Sequence, residues 1–386
     1  MILIKNGKVL TMAGDILEKG DILVEDGKIV KVCEDIKVDD KMEVIDADGM
    51  WVLPGFIDAH SHIGMYEDGI GSEGSDGNEA VDPVTPSLRA IDSINPEDFS
   101  FKEAREHGIT TAVTGPGSAN VIGGQFVAVK TYGRRVDDMI FKDPLALKIA
   151  FGENPKRVYS GQKKSPTTRM ATASVLRKAL IKAQEYKKKL ELGEKDPEKM
   201  PERDLDMEII VKVLDREIPL KAHAHRADDI LTAIRIAKEF DVDYTLEHCT
   251  EGHRIADILY EEGAKAITGP LLSTRSKIEL NKLSFKAPGI LSKAGVKVAI
   301  MTDHPVIPIQ YLPVCASIAV REGMDEMEAL KAITINAAEI TGIADRVGSL
   351  EAGKDADIVL FDGDPLDIRT KTNVVFIDGK KVFERK

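Results

Sequence analysis

Cysteine and aromatic residues are scarce in this chain of 386 residues. It has three cysteines, Cys33, Cys249 and Cys315, which are far apart and form no CxxC pair, and aromatic residues make up only 5% of the sequence. An odd number of scattered cysteines excludes a disulfide framework. It favours a reducing compartment, so we expect a cytoplasmic location. No apolar run approaches the ~20 residues needed to cross a bilayer, which argues against a membrane partner.

An excess of basic residues is also lacking. Lys and Arg total 53 against 65 Asp and Glu, and the net charge is -12. This balance gives no reason to expect nucleic acid as a partner. The length suits one large enzyme domain with a smaller satellite. The expected partner is a small-molecule substrate, and a homo-oligomer is compatible with the sequence.

Short strand-like segments occur at both ends of the chain. Residues 1 to about 50 alternate apolar and polar positions between Asn-Gly and Asp-Gly pairs, which are typical of tight hairpins. The N-terminal MILIKNGKVLTM therefore predicts a first strand and not a signal peptide. Similar segments, ADIVLFDG and NVVFIDGKKVFE, return near the C-terminus. We expect residues 1–52 and 346–386 to form one composite β-sandwich.

The middle of the chain, residues 53–345, alternates apolar runs with helical stretches. The eight runs are GFIDAH, GITTAVT, FVAVKTY, LALKIAFG, IPLKAHAH, DYTLEHCT, AKAITG and KVAIMTDH. Short, almost wholly apolar runs between helices are typical of buried parallel strands in βα units. The prediction is an α/β fold, a (β/α)8 TIM barrel attached to the small sandwich.

Histidines follow the ends of these runs. His60 and His62 close the first run, and residues i and i+2 of a strand point to the same side. Both imidazoles would face the C-terminal mouth of the barrel, where active sites of this architecture lie. Other polar residues recur at the same end of later strands or in the loops that follow: His223, His225, His248, His253, Asp303 and His304. Their convergence predicts a metal site.

These motifs together resemble one family. PGFIDAHSHIG, KAHAH, LEHCT, TDHP and the closing GSLEAGKDADIVLFDGDP are similar to the amidohydrolase superfamily, which includes hydantoinases, dihydroorotases and isoaspartyl dipeptidases. The imidazolonepropionase-like branch is the nearest. The resemblance covers essentially the whole chain and implies one or two divalent metals per chain. Zinc is the first expectation, although such sites also accept manganese, iron or cobalt.

The resemblance also implies a set of ligands. His60 and His62 would hold the more buried metal, His223 and His248 the second, and Asp303 would ligate the first metal and transfer protons. A carboxylate from the fourth strand would bridge the two ions. Two residues compete for this role: Glu153, or Lys148 if carbon dioxide carbamylates it. The sequence favours Glu153, since it follows Gly152 at the point where the strand should stop.

Further residues are candidates for substrate binding. His225 and His304 would contact substrate or support the ligands. Gln125 lies in a glycine-rich segment that could line a pocket. Arg157 and Tyr159, together with Arg169, follow the fourth strand and are candidates for recognising a substrate carboxylate.

The expected reaction is hydrolysis of a C–N bond in an amide, a cyclic amide or a dipeptide-like compound. Metal coordination makes hydroxide available at neutral pH, and Asp303 would act as base and then as acid. Two alternatives remain. A mononuclear deaminase usually has a carboxylic acid three residues after the fifth-strand histidine, where this chain has Arg226. A non-catalytic scaffold relative should have lost the metal ligands, which this chain retains.

Overall fold

The computed structural model describes residues 1–386. Five strands come first: β1 (Ile2–Leu10), β2 (Ile16–Glu25), β3 (Lys28–Cys33), β4 (Glu43–Asp46) and β5 (Trp51–Pro54). Eight strands occupy the middle: β6 (Phe56–Ser61), β7 (Ile109–Thr114), β8 (Ile122–Lys130), β9 (Ile140–Ala150), β10 (Leu220–Ala224), β11 (Tyr244–His248), β12 (Lys265–Thr268) and β13 (Lys297–Ile300). Three strands end the chain: β14 (Ile358–Phe361), β15 (Thr372–Ile377) and β16 (Lys380–Glu384).

The eight middle strands form the predicted barrel. They pair in sequence order from β6 to β13, and every residue of β6 and β10 is buried, as expected for strands covered on both sides. The first and last strands meet just beyond their ends. The Asp303 N–H donates to the carbonyl of His60 (3.2 Å), and the His62 N–H donates to the carbonyl of His304 (2.8 Å). These two bonds connect the segments that carry the predicted metal ligands.

One strand departs from the parallel order that the sequence predicted. Strand β8 runs antiparallel to both β7 and β9. The connection from β7 to β8 covers only residues 115–121, and a parallel crossover needs a dozen or more residues. The third unit of the barrel is therefore a hairpin and not a βα unit.

Helices cover the outside of the barrel. They are α1 (Phe99–Glu106), α2 (Val136–Met139), α3 (Glu153–Gly161), α4 (Arg169–Lys195), α5 (Leu205–Leu214), α6 (Ala227–Phe240), α7 (Ala256–Glu261), α8 (Ala287–Lys293), α9 (Leu312–Arg321), α10 (Glu326–Ala332) and α11 (Ile335–Thr341). The longest, α4, is capped at its N-terminus by Thr168, whose side chain accepts a hydrogen bond from the Ala171 N–H. None of the helices combines the length and the apolar character that crossing a membrane requires.

The strands from the two chain ends form a second sheet. Its order is β16-β15-β14-β5-β1-β2-β3, and β4 pairs with β1. Successive residues of β14 point to opposite faces, as strand geometry requires. Ile358 and Leu360 pack in an apolar cluster of the terminal sheet. Val359 and Phe361 pack in a second cluster together with barrel residues. This second cluster joins the terminal sheet to the barrel.

Candidate metal centre and active site

Two groups of potential metal ligands lie at the C-terminal mouth of the barrel. The first group is His60, His62 and Asp303, and the second group is His223, His225 and His248. Within each group the ligand atoms lie within 4.8 Å of one another. The structure thus brings together the five residues that the sequence assigned to metal binding on or just after β6, β10, β11 and β13, and it adds His225 to the second group.

In the first group, two imidazole nitrogens face one carboxylate oxygen. Asp303 Oδ1 lies 3.3 Å from Nε2 of His62 and 3.5 Å from Nε2 of His60. The ring of Phe126, from the antiparallel strand β8, packs beside both imidazoles, with centroid separations of 5.2 Å for His60 and 6.3 Å for His62. These apolar contacts limit the positions that the two rings can adopt.

The hydrogen bonds of Nδ1 in His62 and His248 show that this nitrogen carries a hydrogen in both rings. Nδ1 of His62 lies 2.6 Å from the carbonyl of Gly115, and Nδ1 of His248 lies 3.0 Å from the carbonyl of Gly269. A carbonyl only accepts, so both Nδ1 atoms carry the hydrogen. In the neutral ring, Nε2 is then left with a lone pair that faces its own group. This is the arrangement that supports metal-binding histidines.

A buried carboxylate also lies beside His60. Its Nδ1 lies 2.8 Å from Oε2 of Glu247, which also contacts Nζ of Lys221 at 2.9 Å. All three side chains are almost completely buried. Thr245 Oγ1 donates to the other oxygen of Glu247 (2.6 Å). The Nδ1 contact is not aligned as a hydrogen bond, but a carboxylate at this distance favours the hydrogen on Nδ1, which leaves the Nε2 lone pair of the neutral ring on the side of Asp303 and Lys148.

The second group is a tight cluster of imidazoles. The ring centroids of His223 and His248 are 4.3 Å apart, and those of His225 and His248 are 4.4 Å apart. Both ring nitrogens of His223 are buried and have no hydrogen-bond partner. A buried polar group without a partner is costly, and a cation bound to one of these nitrogens would remove part of that cost.

Charge and protonation agree with a cation site. Burial lowers the pKa of His60, His223 and His248 well below the ordinary value, so these rings are neutral at neutral pH. Neutral imidazole and carboxylate are the forms that bind divalent metals. Because lone pairs converge within each group, the residues present fit one divalent cation per group, with nitrogen and oxygen donors of the kind that zinc accepts.

The backbone is unusual at two of these ligands. His248 has φ +70° and Asp303 has φ +55°, in the left-handed region that few residues other than glycine adopt. The turn at His248 breaks the alternation of β11, so that the adjacent Glu247 and His248 both reach the interior of the barrel. Such conformations persist where surrounding structure enforces them, and they are common at functional sites.

Lys148, from β9, lies against both groups. Its side chain is fully buried, and its Nζ lies 3.2 Å from Nε2 of His60. Burial lowers the pKa of Lys148 to about 7, while the charges of Glu247 and Asp303 oppose this shift. The positive charge of Lys148 in turn contributes to the lowered pKa of His223 and His248. Lys148 is thus the fourth-strand side chain that reaches the ligands.

Glu153, the residue that the sequence favoured for this place, lies elsewhere. Its carboxylate belongs to neither group and does not line the cavity between them. Gly152, at φ +81°, turns the chain at the end of β9, so Glu153 begins α3 and its N–H donates to Glu279 (2.8 Å). The expectation that Glu153 would meet the histidines is corrected, because the strand ends before it.

Both groups open into one cavity of about 520 Å³. Besides Asp303, Lys148 and four of the histidines, its polar lining consists of Tyr66, Asn78, Ser118, Asn154, Ser273, Thr274, Ser276 and Lys277. Burial lowers the pKa of Lys277; the charge of Glu279 opposes this shift and that of Arg157 adds to it. The cavity therefore presents hydroxyls, amides and an ammonium group beside the candidate metal centre.

Four of the predicted substrate-binding residues do not line the cavity. Gln125 is buried and donates to the carbonyl of Pro86 (3.2 Å). Tyr159 is buried and donates to Asn120 (2.5 Å). Arg157 is exposed. His304 is buried, and its Nδ1 accepts a hydrogen bond from the Ile309 N–H (3.3 Å). His225 does line the cavity. The related candidate Arg169 pairs with Asp229 (3.0 Å).

Sequence reasoning missed several residues that hold the site in place. Glu247 and Lys221 lie on β11 and β10 and support His60, as described above. The buried Asp58 accepts hydrogen bonds from the N–H and the hydroxyl of Thr302, which joins β6 to the segment after β13. Burial raises the pKa of Asp58 to about 7. The one available signal was the presence of charged residues inside apolar strands.

Comparisons with known proteins identify the family. A sequence profile of the Amidohydrolase family matches residues 51–383. The crystal structure of an amidohydrolase from Thermotoga maritima MSB8 is 47% identical, with a TM-score of 0.97 and 100% of both chains covered. The amidohydrolase tasK of Hapsidospora irregularis is 29% identical over 95% of this chain, which spans only 40% of the length of tasK. An imidazolonepropionase from Caldanaerobacter subterraneus subsp. tengcongensis is 26% identical over 91% of this chain and 86% of its own length. This chain belongs to the amidohydrolase family.

Proposed function

We propose that the protein is a metal-dependent hydrolase that cleaves a C–N bond of a small amide, cyclic amide or dipeptide-like compound. One observation carries the proposal: two groups of imidazoles, one with a carboxylate, open into a single cavity large enough for a small substrate. The relationship to an imidazolonepropionase supports the inclusion of cyclic amides.

His60, His62 and Asp303 would hold one divalent cation, and His223 and His248, with His225 beside them, would hold a second. We propose zinc, with two ions per chain. When bound there, a divalent cation would supply a lowered pKa for a water molecule, from about 15.7 towards about 7, and polarisation of a carbonyl group. The carbonyls of Gly115 and Gly269 and the carboxylate of Glu247 favour tautomers whose Nε2 lone pairs are directed into the groups without a further conformational change.

Lys148 is the proposed fourth-strand ligand. Its amine nitrogen would add to carbon dioxide and release one proton, and the resulting carbamate carries one negative charge. This change would replace a cation next to His60 with an anionic oxygen donor, which suits a site where two divalent ions add positive charge. The contact between Lys148 and His60, and the position of Glu153 outside both groups, support this assignment over Glu153.

Asp303 is the proposed proton carrier. Its carboxylate borders the cavity, and its side chain is 13% exposed, so it can reach both a water molecule and a substrate. Asp303 would accept the proton that the attacking water loses, and it would deliver that proton to the nitrogen that leaves. One carboxylate can serve as base and then as acid in this way.

A substrate screen tests the proposal. The protein, loaded with zinc or manganese in the presence of bicarbonate, would be assayed with N-acyl amino acids, dipeptides, dihydropyrimidines, hydantoins and lactams. We expect hydrolysis of members of at least one class, with loss of turnover after chelation and recovery after metal is restored. Turnover that is unaffected by complete metal removal would contradict the proposal.

A further inference from the structure

We infer that the substrate carries an anionic group, a carboxylate, and that Lys277 binds it. The inference rests on the proposed function and specifies its substrate class. Lys277 follows β12, in the loop that forms one wall of the cavity, and its side chain is 25% exposed. Its ammonium group is therefore largely shielded from solvent but still open to a ligand.

The partners of Lys277 leave part of its binding capacity free. Nζ donates one hydrogen bond, to Oδ1 of Asn154 (2.7 Å). The nearest carboxylate oxygen, of the buried Glu279, lies 4.0 Å away, which is too far for a hydrogen bond. A lysine ammonium has three hydrogens, so two of them remain for a ligand.

Neighbouring groups hold this donor in place and add another. Asn154 Nδ2 donates to Oγ of Ser118 (2.8 Å), which turns Oδ1 of Asn154 towards Lys277. Ser118 accepts this bond, so the hydrogen of its own hydroxyl is available to a ligand. Ser118 and Asn154 both line the cavity. Lys277 and Ser118 therefore present hydrogen-bond donors, one of them charged, to the same space.

The charges of the cavity point to the same ligand class. The lining of the cavity contains two lysines, Lys148 and Lys277, and no arginine. Its one carboxylate is that of Asp303. Lys148 and Asp303 belong to the candidate metal centre. Lys277, whose neighbour Glu279 lies 4.0 Å away and outside the lining, is then the remaining cation that faces the cavity. A cation in a partly buried site favours a carboxylate through charge-assisted hydrogen bonds.

Matched substrate pairs test the inference, because the two members of each pair differ in one carboxylate. The pairs are dihydroorotate and dihydrouracil, N-acetylmethionine and its primary amide, and methionylproline and methionylprolinamide. The metal-loaded wild type would be compared with Lys277→Gln, which keeps a donor for Asn154 without the charge, and with Lys277→Arg, which keeps the charge. Lys282→Gln, at an exposed lysine outside the cavity, is the matched control.

For at least one pair we expect the wild type to prefer the carboxylate member in kcat/KM. The preference should fall by about 10-fold to 100-fold in Lys277→Gln, mostly through KM, as expected for the loss of a hydrogen bond to a charged group. It should recover partly in Lys277→Arg and persist in Lys282→Gln. A wild type that prefers the neutral members, or a preference that survives Lys277→Gln, would overturn the inference and leave the proposed function intact.

Absence of turnover with every compound would count against the proposed function, and binding would then decide the inference. Isothermal titration of the metal-loaded proteins with the three carboxylate members provides that measurement. Binding to the wild type that weakens in Lys277→Gln would support the role of Lys277. Equal binding to both proteins, or no binding to either, would overturn it.

Discussion

Nζ of Lys148 lies 3.2 Å from Nε2 of His60, inside the barrel and out of contact with solvent. Two positive charges at this distance would repel each other strongly. Burial lowers the pKa of Lys148 to about 7, and burial together with the charge of Lys148 keeps the pKa of His60 far below its ordinary value. The protein thus places a readily deprotonated amine against His60, a candidate metal ligand.

Replacement of Lys148 should remove activity, and replacement of Glu153 should not. Lys148→Met deletes the proposed carbamate, so we expect kcat/KM to fall by about 100-fold or more. Residues that only support a metal ligand typically lower activity by ~10–100-fold when they are replaced. The bound metal should decrease as well. Glu153→Gln is the matched control, since Glu153 competed for the same role. Kinetics and metal analysis of both variants check this, and normal activity of Lys148→Met would refute the assignment.

Glu247 should act on the metal through His60. In Glu247→Gln the charge that holds the hydrogen on Nδ1 of His60 is lost, and metal affinity should fall about 10–100-fold. Competition with a chelator measures this affinity. Glu251→Gln, a nearby carboxylate outside both groups, should leave it unchanged.

The loss of Glu247 also leaves Lys221 as a buried charge without its partner. The double variant Lys221→Met/Glu247→Gln separates this effect from the effect on metal binding. It should recover stability, because a buried pair can be replaced by uncharged residues at little cost, but its metal affinity should stay low. Full recovery of metal affinity in the double variant would contradict the positioning role of Glu247.

Lys130 should stabilise the joint between the barrel and the terminal sheet. Its Nζ lies 3.0 Å from Asp355 and 2.8 Å from Asp357, and the lysine is 3% exposed. Removal of one partner of a buried pair costs roughly 3–5 kcal/mol, so Lys130→Met should lower the free energy of unfolding by about that amount. Lys28 is half-exposed and pairs with the same carboxylate of Asp355. Lys28→Met should therefore lower the free energy of unfolding by only about 0–1 kcal/mol. Denaturant unfolding compares the two, and equal effects would contradict the account.

The effect of Lys130 should depend on pH. Burial would raise the pKa of Asp355, but Lys130, Lys28 and Arg346 hold this pKa below its ordinary value of 3.8. The pKa of Asp357 is raised, because the effect of burial exceeds the opposing effect of the Lys130 charge. Lys130 stabilises the ionised form of both carboxylates. Its contribution is therefore lost as the pH falls through the folded pKa of Asp357 and then that of Asp355. The stability difference between wild type and Lys130→Met should shrink from pH 7 to pH 3, and a constant difference would contradict this.

Asp303→Asn should separate catalysis from metal binding. Asparagine can still offer an oxygen to a metal but cannot carry the proton, so we expect turnover to fall by about 10²–10⁴-fold while most of the metal stays bound. Steady-state kinetics and metal analysis of the same preparation measure both effects. Asp345→Asn, at an exposed aspartate, is the control. Near-normal turnover of Asp303→Asn would refute the role of Asp303 as proton carrier.

Much of the fold could be predicted from the sequence, because hydrophobic pattern and burial correspond directly. All eight apolar runs are barrel strands. Five of the histidines at or near their ends converge with Asp303, since strand ends at one mouth of a barrel must lie close together, but His253 and His304 do not join them. The direction of β8 could not be read from its composition, because a buried antiparallel strand and a buried parallel strand contain the same residue types.

The preference for Glu153 over Lys148, and the failure to predict the supporting carboxylate of Glu247, have geometric causes. The position of Glu153 depends on the backbone turn at Gly152, which side-chain pattern does not reveal. Strict alternation along β11 predicts that Glu247 points away from the site if His248 points towards it. The left-handed backbone of His248 overrides that rule. Lys277 lies in a loop with no periodic pattern, so only the folded structure could reveal that it lines the cavity.

Metal content per chain tests the central claim most directly. Elemental analysis would compare the metal-loaded wild type with His60→Ala/His62→Ala and with His223→Ala/His248→Ala, after circular dichroism has shown that each variant is folded. We expect about two ions in the wild type and about one in each double variant, as for a two-metal site. A wild type without bound metal, or double variants that bind as much metal as the wild type, would contradict the account.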